Sequence, residues 1–278
     1  MVVFPNCKIN LGLHITAKRT DGYHNLETVF VPVALTDILE VIQLSAYHAT
    51  ESTDIQFSSS GLSIAGDANN NLSVKAYKLL KKDFPQLPPI QMHLHKIIPM
   101  GAGLGGGSAD GAFALQLIQQ KFQLEISKQK MIDYALQLGS DCPFFVINKP
   151  CFATSRGEIL TPIELDLSAY SFLIVNPKIH ISTAWAFSSI VPKQPRVSIQ
   201  SIVQKPIETW KNVLINDFET PAIEAFPVIG KIKETMYQHG ALYSSMTGSG
   251  STVFGIFDKK NLPKISFQED FFVKIVDA

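Results

Sequence analysis

Alternating hydrophobic positions predict most of the strands in this chain. Residues 29–44 predict short strands, because Val31, Val33 and Leu35 alternate and a second strand from Ile38 follows the Thr36-Asp37 turn. In 90–97, Ile90, Met92 and Leu94 alternate with the same period, that of a half-buried strand. Residues 50–66, rich in Ser, Thr, Gly and Asp, predict a loop and an exposed strand. Shorter hydrophobic runs predict further strands at 144–147, 151–154, 172–175, 242–246, 253–257 and 271–276.

A helical period replaces this alternation elsewhere. Ser108 and Ser127 are predicted N-caps, because a serine oxygen can accept a hydrogen bond from the first turn, and Asp110 is expected in the turn after Ser108. The predicted helices lie at 72–82, from 108 onward, from 127 to 138, and at about 222–239.

The order of these elements predicts an α/β (α+β) protein in two parts. The acidic and proline residues of 155–170 indicate a boundary, so we expect domains at 1–155 and 156–278. The last hundred residues alternate strand and helix, which favours an α+β lobe. A chain of 278 residues is long enough for two such domains.

Charge and cysteine content narrow the class of protein. The chain has 24 basic and 24 acidic residues, so its zero net charge supplies no field for a nucleic-acid backbone. Its three cysteines match no zinc or redox spacing, which favours a reducing compartment. The sequence shows neither a membrane-spanning run nor a signal-peptide pattern. We therefore expect a cytoplasmic protein that binds neither membranes nor nucleic acid.

The strongest local signal is the glycine-rich segment 99–109. Its glycines let backbone N–H groups surround an anion, and the helix that follows directs its positive end at the same place, which predicts a phosphate cradle. The dinucleotide fingerprint Gly101-x-Gly103-x-x-Gly106 matches formally, but its acidic residue would be Glu125, between two predicted helices. The sequence also lacks a Walker A lysine and the protein-kinase signatures.

Four other segments place polar side chains at the ends of elements. Lys8 and Asn10 share one face of a predicted strand, which is typical of an anion site and equally of a solvated surface. The turn at 18–24 offers a cation, an aromatic ring and an imidazole, as many surface loops do. Asp141 is interpreted as a half-buried general base or as a turn residue. The Gly/Ser loop at 246–252 is either a hairpin turn or a second phosphate loop.

For several residues that could bind a metal, act as a nucleophile or stack on a base, an ordinary structural role is the favoured interpretation. His93 and His95 share a strand face, but no third ligand has matching spacing for a metal. Cys142 has no neighbouring histidine, which disfavours nucleophilic catalysis. Trp185 and Phe187 are typical of a core, although one of them is a candidate for stacking on a base.

The segments Lys8–His14, Pro99–Asp110 and Met246–Thr252 resemble the three motifs of the GHMP small-molecule kinases. Arg19–His24, Leu138–Pro143 and Gly157–Pro162 narrow the resemblance to the branch that acts on a cytidine-diphosphate sugar alcohol in isoprenoid biosynthesis. The resemblance implies a two-lobed fold, with a ribosomal-protein-S5-like N-terminal lobe and a ferredoxin-like C-terminal lobe. It also implies transfer of the ATP γ-phosphoryl group to the 2-hydroxyl of a methylerythritol moiety. Separately, we expect a monomer or weak homodimer.

The same resemblance assigns roles to individual residues. Asp141 matches the catalytic base, and Lys8 matches its lysine partner. ATP is expected with Mg²⁺, although the sequence shows no carboxylate cage for the metal. The positions that match acceptor contacts are Asn10, Tyr23, His24, Thr183 and Phe187. The positions that match ATP contacts are Asn71, Lys96, Pro99, Met100, Gly101, Ala102, Gly103, Leu104, Gly105, Gly106, Gly107, Ser108 and Ala109.

Three alternatives remain at this point. A GHMP kinase of the homoserine or mevalonate type would carry a similar glycine loop, but the Asp21–His24 turn and the segment around Asp141 argue against it. A catalytically silent nucleotide-binding regulator would need neither Lys8 nor Asp141. A dehydrogenase is disfavoured by the position of Glu125.

Overall fold

The computed structural model describes residues 1–44 and 54–278. These residues form two compact units, each assembled from segments that are not consecutive in sequence. The first unit contains Met1–Cys7, Leu35–Ile98 and Gly106–Asn148, and the second contains Lys8–Ala34, Pro99–Gly105 and Lys149–Ala278. The predicted domain boundary between residues 155 and 156 stays a prediction. The two units each combine several separate segments of the chain and are not divided at one point in the sequence.

The first unit contains a mixed four-stranded sheet. Its strands are β1 (Val2–Val3), β4 (Ile38–Gln43), β5 (Ile55–Gly61) and β6 (Ile90–Lys96). Their order in the sheet is β1-β4-β6-β5, and all neighbouring pairs are antiparallel except β5 and β6, which run parallel. The helices are α1 (Leu72–Asp83), α2 (Gly106–Lys121), α3 (Lys128–Leu138) and α4 (Cys142–Ile147), with a 3-10 turn at Ala68–Asn70.

The second unit contains most of the other two sheets. One has the order β2 (Asn6–Lys18), β3 (His24–Thr36), β7 (Cys151–Ser155) and β8 (Ile159–Pro162). The other has the order β10 (Tyr243–Met246), β11 (Val253–Asp258), β9 (Tyr170–Asn176) and β12 (Phe272–Asp277), and its pairs are antiparallel. Its helices are α5 (Thr183–Ser188), α6 (Ile199–Val203), α7 (Glu219–Ala225) and α8 (Pro227–Gln238), with a 3-10 turn at Ile207–Thr209.

Each unit has a hydrophobic core built from the predicted periodic positions. In the first unit, Val74, Tyr77 and Leu80 of α1 are buried, as the helical spacing requires. In the second unit, α8 packs on β10 and β11 and contributes Ile229, Ile232 and Met236 to the core. The predicted mixed α/β fold is confirmed. Among the residues described, no helix is both long and apolar enough to cross a membrane.

Two helix boundaries correct the sequence prediction. The segment 144–147, predicted as a strand, belongs to α4, because Pro143 suits the first helical turn and Asn148 ends the helix with a φ of +50°. The helix predicted over 222–239 is two helices, since Pro227 disfavours a helical conformation at Phe226. Part of the predicted loop at 50–66, residues 50–53, lies outside the described residues.

The start of α2 also differs from the prediction. The helix begins at Gly106, so Ser108 lies inside its first turn and is not the cap. Asp110 is the fifth helical residue and is buried, which makes it a core residue and not a first-turn acid facing solvent. The glycines of this segment therefore continue directly into the helix.

Candidate active site

Lys8 and Asn10 of β2 are buried, so the interpretation of this strand face as solvated is wrong. Their exposed fractions are 4% and 1%. Lys8 Nζ donates a hydrogen bond of 2.6 Å to Asn10 Oδ1 and lies 4.9 Å from the centroid of the Phe30 ring. The Asn10 amide donates to Thr28 Oγ1 at 3.0 Å. These contacts hold a positive charge in a fixed place with little water around it, where it acts strongly on a nearby anion.

Thr247 connects this strand to the two glycine-containing loops. It is fully buried, and its hydroxyl oxygen accepts a hydrogen bond from the Asn10 N–H at 3.0 Å. The same hydroxyl lies 3.1 Å from Asn10 Oδ1 and 3.2 Å from the carbonyl oxygen of Gly103. Thr252 N–H donates to the carbonyl of Ala102 at 3.3 Å. Three segments that are far apart in sequence are thus joined by hydrogen bonds.

Two buried residues that the sequence analysis missed support the loop at 246–252. The Asn216 side-chain amide donates to the carbonyl oxygens of Met246 at 2.7 Å and Gly248 at 2.9 Å. Glu219 accepts a hydrogen bond from the Met246 N–H at 2.7 Å and another from Ser245 Oγ at 3.0 Å. Neither Asn216 nor Glu219 lies in a motif, so no local pattern could have identified them.

The glycine-rich segment has the backbone shape that an anion cradle requires. Gly101, Gly103 and Gly105 have φ values of +62°, +80° and +70°, a region that L side chains rarely adopt. A Cβ atom on Gly107, in the first turn of α2, would meet nothing within 4 Å, whereas one on Gly106 would lie 2.9 Å from Ile98 Cγ2. The first N–H groups of a helix lack intrahelical partners and attract anions. Space and donors for a phosphate therefore coincide at Gly107.

Lys96, a predicted ATP contact, lies in a buried ion cluster of the first unit. Its Nζ donates to Asp37 Oδ2 at 2.5 Å and to Asp110 Oδ2 at 2.7 Å. Asp37 Oδ1 accepts hydrogen bonds from the N–H groups of Ile97 and Ile98 at 2.6 and 2.9 Å. Burial raises the pKa of Asp110 to about 7, although the Lys96 ammonium partly offsets this rise. These contacts join the end of β6 to Asp37 and to α2. Contact of Lys96 with adenine stays a prediction.

Asn71, the other predicted adenine contact, caps α1. Its Oδ1 accepts a hydrogen bond of 2.9 Å from the Ser73 N–H, which satisfies one of the donors at the start of the helix. The sequence predicted a turn here, and the turn is confirmed. Contact of Asn71 with adenine stays a prediction.

Asp141 immediately precedes α4. The sequence predicted a strand after this residue, and the structure has a helix there. The Asp141 side chain is half-buried and makes no capping hydrogen bond to the helix. Burial raises the pKa of the neighbouring Cys142 thiol to about 12, so the thiol stays protonated at neutral pH. The predicted lack of nucleophilic function for Cys142 is therefore supported.

Aromatic rings predicted at the acceptor site meet in the second unit. The rings of His24 and Phe187 are stacked, with centroids 4.8 Å apart and planes 23° apart. Phe218 contacts Phe187 edge-on at 5.0 Å. Trp185 instead contacts Phe226, at 6.0 Å. Phe187, and not Trp185, is thus the ring that lies beside His24.

The remaining predicted acceptor contacts lie near these rings in sequence. Thr183 is the first residue of α5, the helix that carries Phe187. Tyr23 directly precedes His24, and its side chain is 55% exposed. Four of the five predicted acceptor residues therefore lie on two short segments, and the fifth, Asn10, lies on β2.

His93 and His95 bond to serines of the neighbouring strand. Ser58 Oγ lies 2.8 Å from His93 Nδ1, and Ser60 Oγ lies 2.9 Å from His95 Nδ1. Within the described ranges, no group of three His, Cys, Asp or Glu side chains is arranged to hold a metal ion. The two histidines thus have a structural explanation in the serine contacts of the sheet.

Known proteins share both the sequence and this fold. The GHMP kinases N terminal domain family matches residues 71–149, and the GHMP kinases C terminal family matches residues 202–267. A 4-diphosphocytidyl-2-C-methyl-D-erythritol kinase of Bacteroides fragilis is 48% identical over 272 residues, covering 98% of this chain and 97% of its own. One from Cytophaga hutchinsonii is 44% identical over 261 residues, covering 94% and 93%.

Solved structures agree with these relatives. A crystal structure of 4-(cytidine 5'-diphospho)-2C-methyl-D-erythritol kinase has a TM-score of 0.78 at 29% identity and covers 92% of this chain and 89% of its own. A mevalonate kinase structure has a TM-score of 0.70 at 14% identity, covering 100% and 98%, and shares the fold alone. Near-complete coverage at over 40% identity leaves one conclusion: this chain belongs to the 4-diphosphocytidyl-2-C-methyl-D-erythritol kinase family of the GHMP kinases.

Proposed function

We propose that this protein transfers the γ-phosphoryl group of ATP to the 2-hydroxyl of 4-diphosphocytidyl-2-C-methyl-D-erythritol, giving the 2-phosphate and ADP in non-mevalonate isoprenoid synthesis. The observation that carries the proposal is the buried contact chain from Lys8 through Asn10 and Thr247 to Gly103, which joins all three kinase motifs. Family membership supports the choice of acceptor. The enzyme acts in the cytoplasm on small molecules, as a monomer or weak homodimer.

Asp141 is the general base in this proposal. Its half-buried carboxylate takes the proton of the acceptor hydroxyl as the phosphoryl group is transferred. Lys8 offsets the negative charge that accumulates around the transferred group, since its buried ammonium is already oriented by Asn10. In functional terms, 1–155 carries the cradle and both catalytic residues, and 156–278 completes the acceptor site.

ATP binds through its phosphates to residues 99–109. The left-handed glycines and the open position at Gly107 fit an anion that approaches the backbone closely. Asn71 and Lys96 lie on the adenine side. Mg²⁺ would accompany ATP, held by the phosphate oxygens, water and the Ser108 hydroxyl. Within the described residues, no group of three His, Cys, Asp or Glu side chains is arranged to hold a metal ion.

The cytidine end of the acceptor binds at Tyr23, His24 and Phe187. A pyrimidine needs a flat apolar platform and a polar group at its edge. In this proposal Phe187 and Tyr23 form the platform, and His24, whose ring lies beside Phe187, supplies the polar group. Asn10 and Thr183 complete the acceptor contacts. Homoserine and mevalonate have no base to occupy such a platform, which favours the cytidine-diphosphate acceptor over theirs.

A phosphoryl-transfer assay with a panel of acceptors tests the function directly. The purified protein is incubated with ATP and 4-diphosphocytidyl-2-C-methyl-D-erythritol, homoserine or mevalonate, and ADP release is measured. We expect turnover with the first acceptor alone. Turnover with homoserine or mevalonate at comparable kcat/KM would replace the proposed acceptor.

A further inference from the structure

The exposed ring of Tyr23 is contacted on one face by Arg156. The guanidinium carbon lies 4.9 Å from the ring centroid, a distance at which a cation is attracted by the ring electrons. Because Tyr23 is 55% exposed, its ring keeps free surface beyond the part that Arg156 covers. Arg156 directly precedes the Gly157–Pro162 segment and has no role in the function proposed above.

Glu158 holds Arg156 in this position. Its Oε2 accepts a hydrogen bond of 2.7 Å from the Arg156 N–H, and its Oε1 lies 3.4 Å from Arg156 Nε. Ser155 Oγ donates to the same Oε1 at 3.1 Å. Burial raises the pKa of Glu158, but hydrogen bonds from backbone N–H groups and Ser155 outweigh it, so the pKa lies below its ordinary value. Glu158 is therefore ionised at neutral pH and anchors the guanidinium.

A second set of contacts holds the backbone of Tyr23. Arg19 donates from Nε and Nη2 to Asp21 Oδ2 at 3.0 and 2.9 Å. Asp21 Oδ1 accepts a hydrogen bond of 3.1 Å from the Tyr23 N–H. Arg19 Nη1 also donates to Ser155 Oγ at 3.2 Å. Ser155 thus links the contacts that hold Tyr23 to those that hold Arg156.

Through Ser155, the hydrogen bonds that hold the Tyr23 backbone and those that hold Arg156 against the Tyr23 ring form one connected set. Exposed ion pairs contribute little one at a time, but a connected set restricts the side chains that belong to it. A ring that is already oriented loses less conformational freedom when a ligand stacks on it, so the ligand binds more tightly.

We propose that Arg156 is a positioning residue for the acceptor, because it covers one face of Tyr23 and leaves the opposite face as the surface on which the cytosine stacks. The inference rests on the proposed function, since it requires an acceptor that carries a cytosine. Arg156 does not touch the reacting atoms and acts on acceptor affinity through Tyr23.

The variant Arg156→Met keeps much of the apolar side chain and removes the charge. We expect the KM for 4-diphosphocytidyl-2-C-methyl-D-erythritol to rise about fivefold, while the KM for ATP and kcat at saturating acceptor stay within twofold. Arg156→Lys keeps a cation over the ring and should recover part of the affinity. Arg196→Met, at an exposed arginine of the same unit, is the matched control and should leave all three constants unchanged.

A double-mutant cycle shows whether Arg156 acts through Tyr23. In a Tyr23→Leu background, Arg156→Met should cause no further rise in the acceptor KM, because the ring it orients is absent. An equal rise in both backgrounds, an unchanged KM in Arg156→Met, or an equal loss in every constant overturns the proposal. A wild-type protein that does not phosphorylate the cytidine-diphosphate acceptor refutes the proposed function and this inference together. An active wild-type protein with an unchanged Arg156→Met variant refutes this inference alone.

Discussion

The carbonyl oxygen of Thr247 lies 2.0 Å from the position that a Cβ atom on Gly103 would occupy. The glycine-rich segment 99–109 and the loop at 246–252 therefore touch at a point where a side chain has no room. Gly103 also has a φ of +80°, so both space and backbone conformation require glycine there. Because Thr247 also bonds to Asn10, this close approach couples the cradle to the strand that carries Lys8.

Gly103→Ala should disrupt this contact. The left-handed backbone alone costs a residue with a side chain about 1–2 kcal/mol, and the overlap with the Thr247 carbonyl adds to that cost. We expect a lower free energy of unfolding in urea and weaker ATP binding by calorimetry. Gly107→Ala is the control, because its Cβ would meet nothing, and it should unfold at wild-type urea concentrations. Equal stability of the two variants would contradict the assigned contact.

Gly107→Val tests the cradle without disturbing the core. A branched side chain at this open position leaves existing contacts intact and occupies the space assigned to phosphate. We expect a wild-type unfolding transition and a KM for ATP at least tenfold higher. Gly106 is unsuitable for this test, because a Cβ there would press on Ile98. Unchanged ATP binding in folded Gly107→Val protein would mean that the cradle is structural.

Asp141→Asn tests the general base. The amide has the same shape but cannot take the hydroxyl proton, so kcat should fall by about 10²–10⁴. ATP affinity, measured by calorimetry, should stay within a few-fold of wild type. Turnover close to that of wild type at saturating acceptor would remove Asp141 from the mechanism.

Phe187→Ala should weaken acceptor binding selectively. Stacking of a base on an aromatic side chain contributes roughly 1–3 kcal/mol, which corresponds to a rise of about 5- to 150-fold in the acceptor KM. The KM for ATP should stay nearly unchanged. Trp185→Ala is the matched comparison, since Trp185 contacts Phe226 instead of His24. A larger acceptor effect from Trp185→Ala would show that the base stacks on the other ring.

Asp110→Asn should change how stability depends on pH. Burial raises the pKa of Asp110 from 3.8 to about 7, so the folded state binds this proton more tightly than the unfolded chain. Its contribution to the free energy of unfolding is therefore largest below pH 4 and decreases as pH rises to about 7. Urea unfolding at several pH values should show wild type losing stability relative to the variant, by at most about 1.4 kcal/mol per pH unit. A pH-independent difference would contradict the raised pKa.

The local sequence was sufficient to predict where a helix starts when the capping residue directly precedes it. Ser127 caps α3 through the Lys130 N–H, and Asn71 caps α1, both where the sequence predicted a helix start or turn. The glycine segment and the motif residues identified the family, because each motif is contiguous. These features depend on neighbours a few residues away, which a single sequence displays directly.

Only the tertiary structure decided which of these residues are buried and what they contact. From the sequence alone, the strand face with Lys8 and Asn10 is equally consistent with a solvated surface. In the structure Thr247, 237 residues away from Asn10, packs against it and accepts the hydrogen bond of the Asn10 N–H. The support from Asn216 and Glu219 and the contact of Arg156 with Tyr23 also join distant segments. Such contacts depend on which surfaces the folded chain brings together, and local periodicity, capping and turn chemistry contain no information about that.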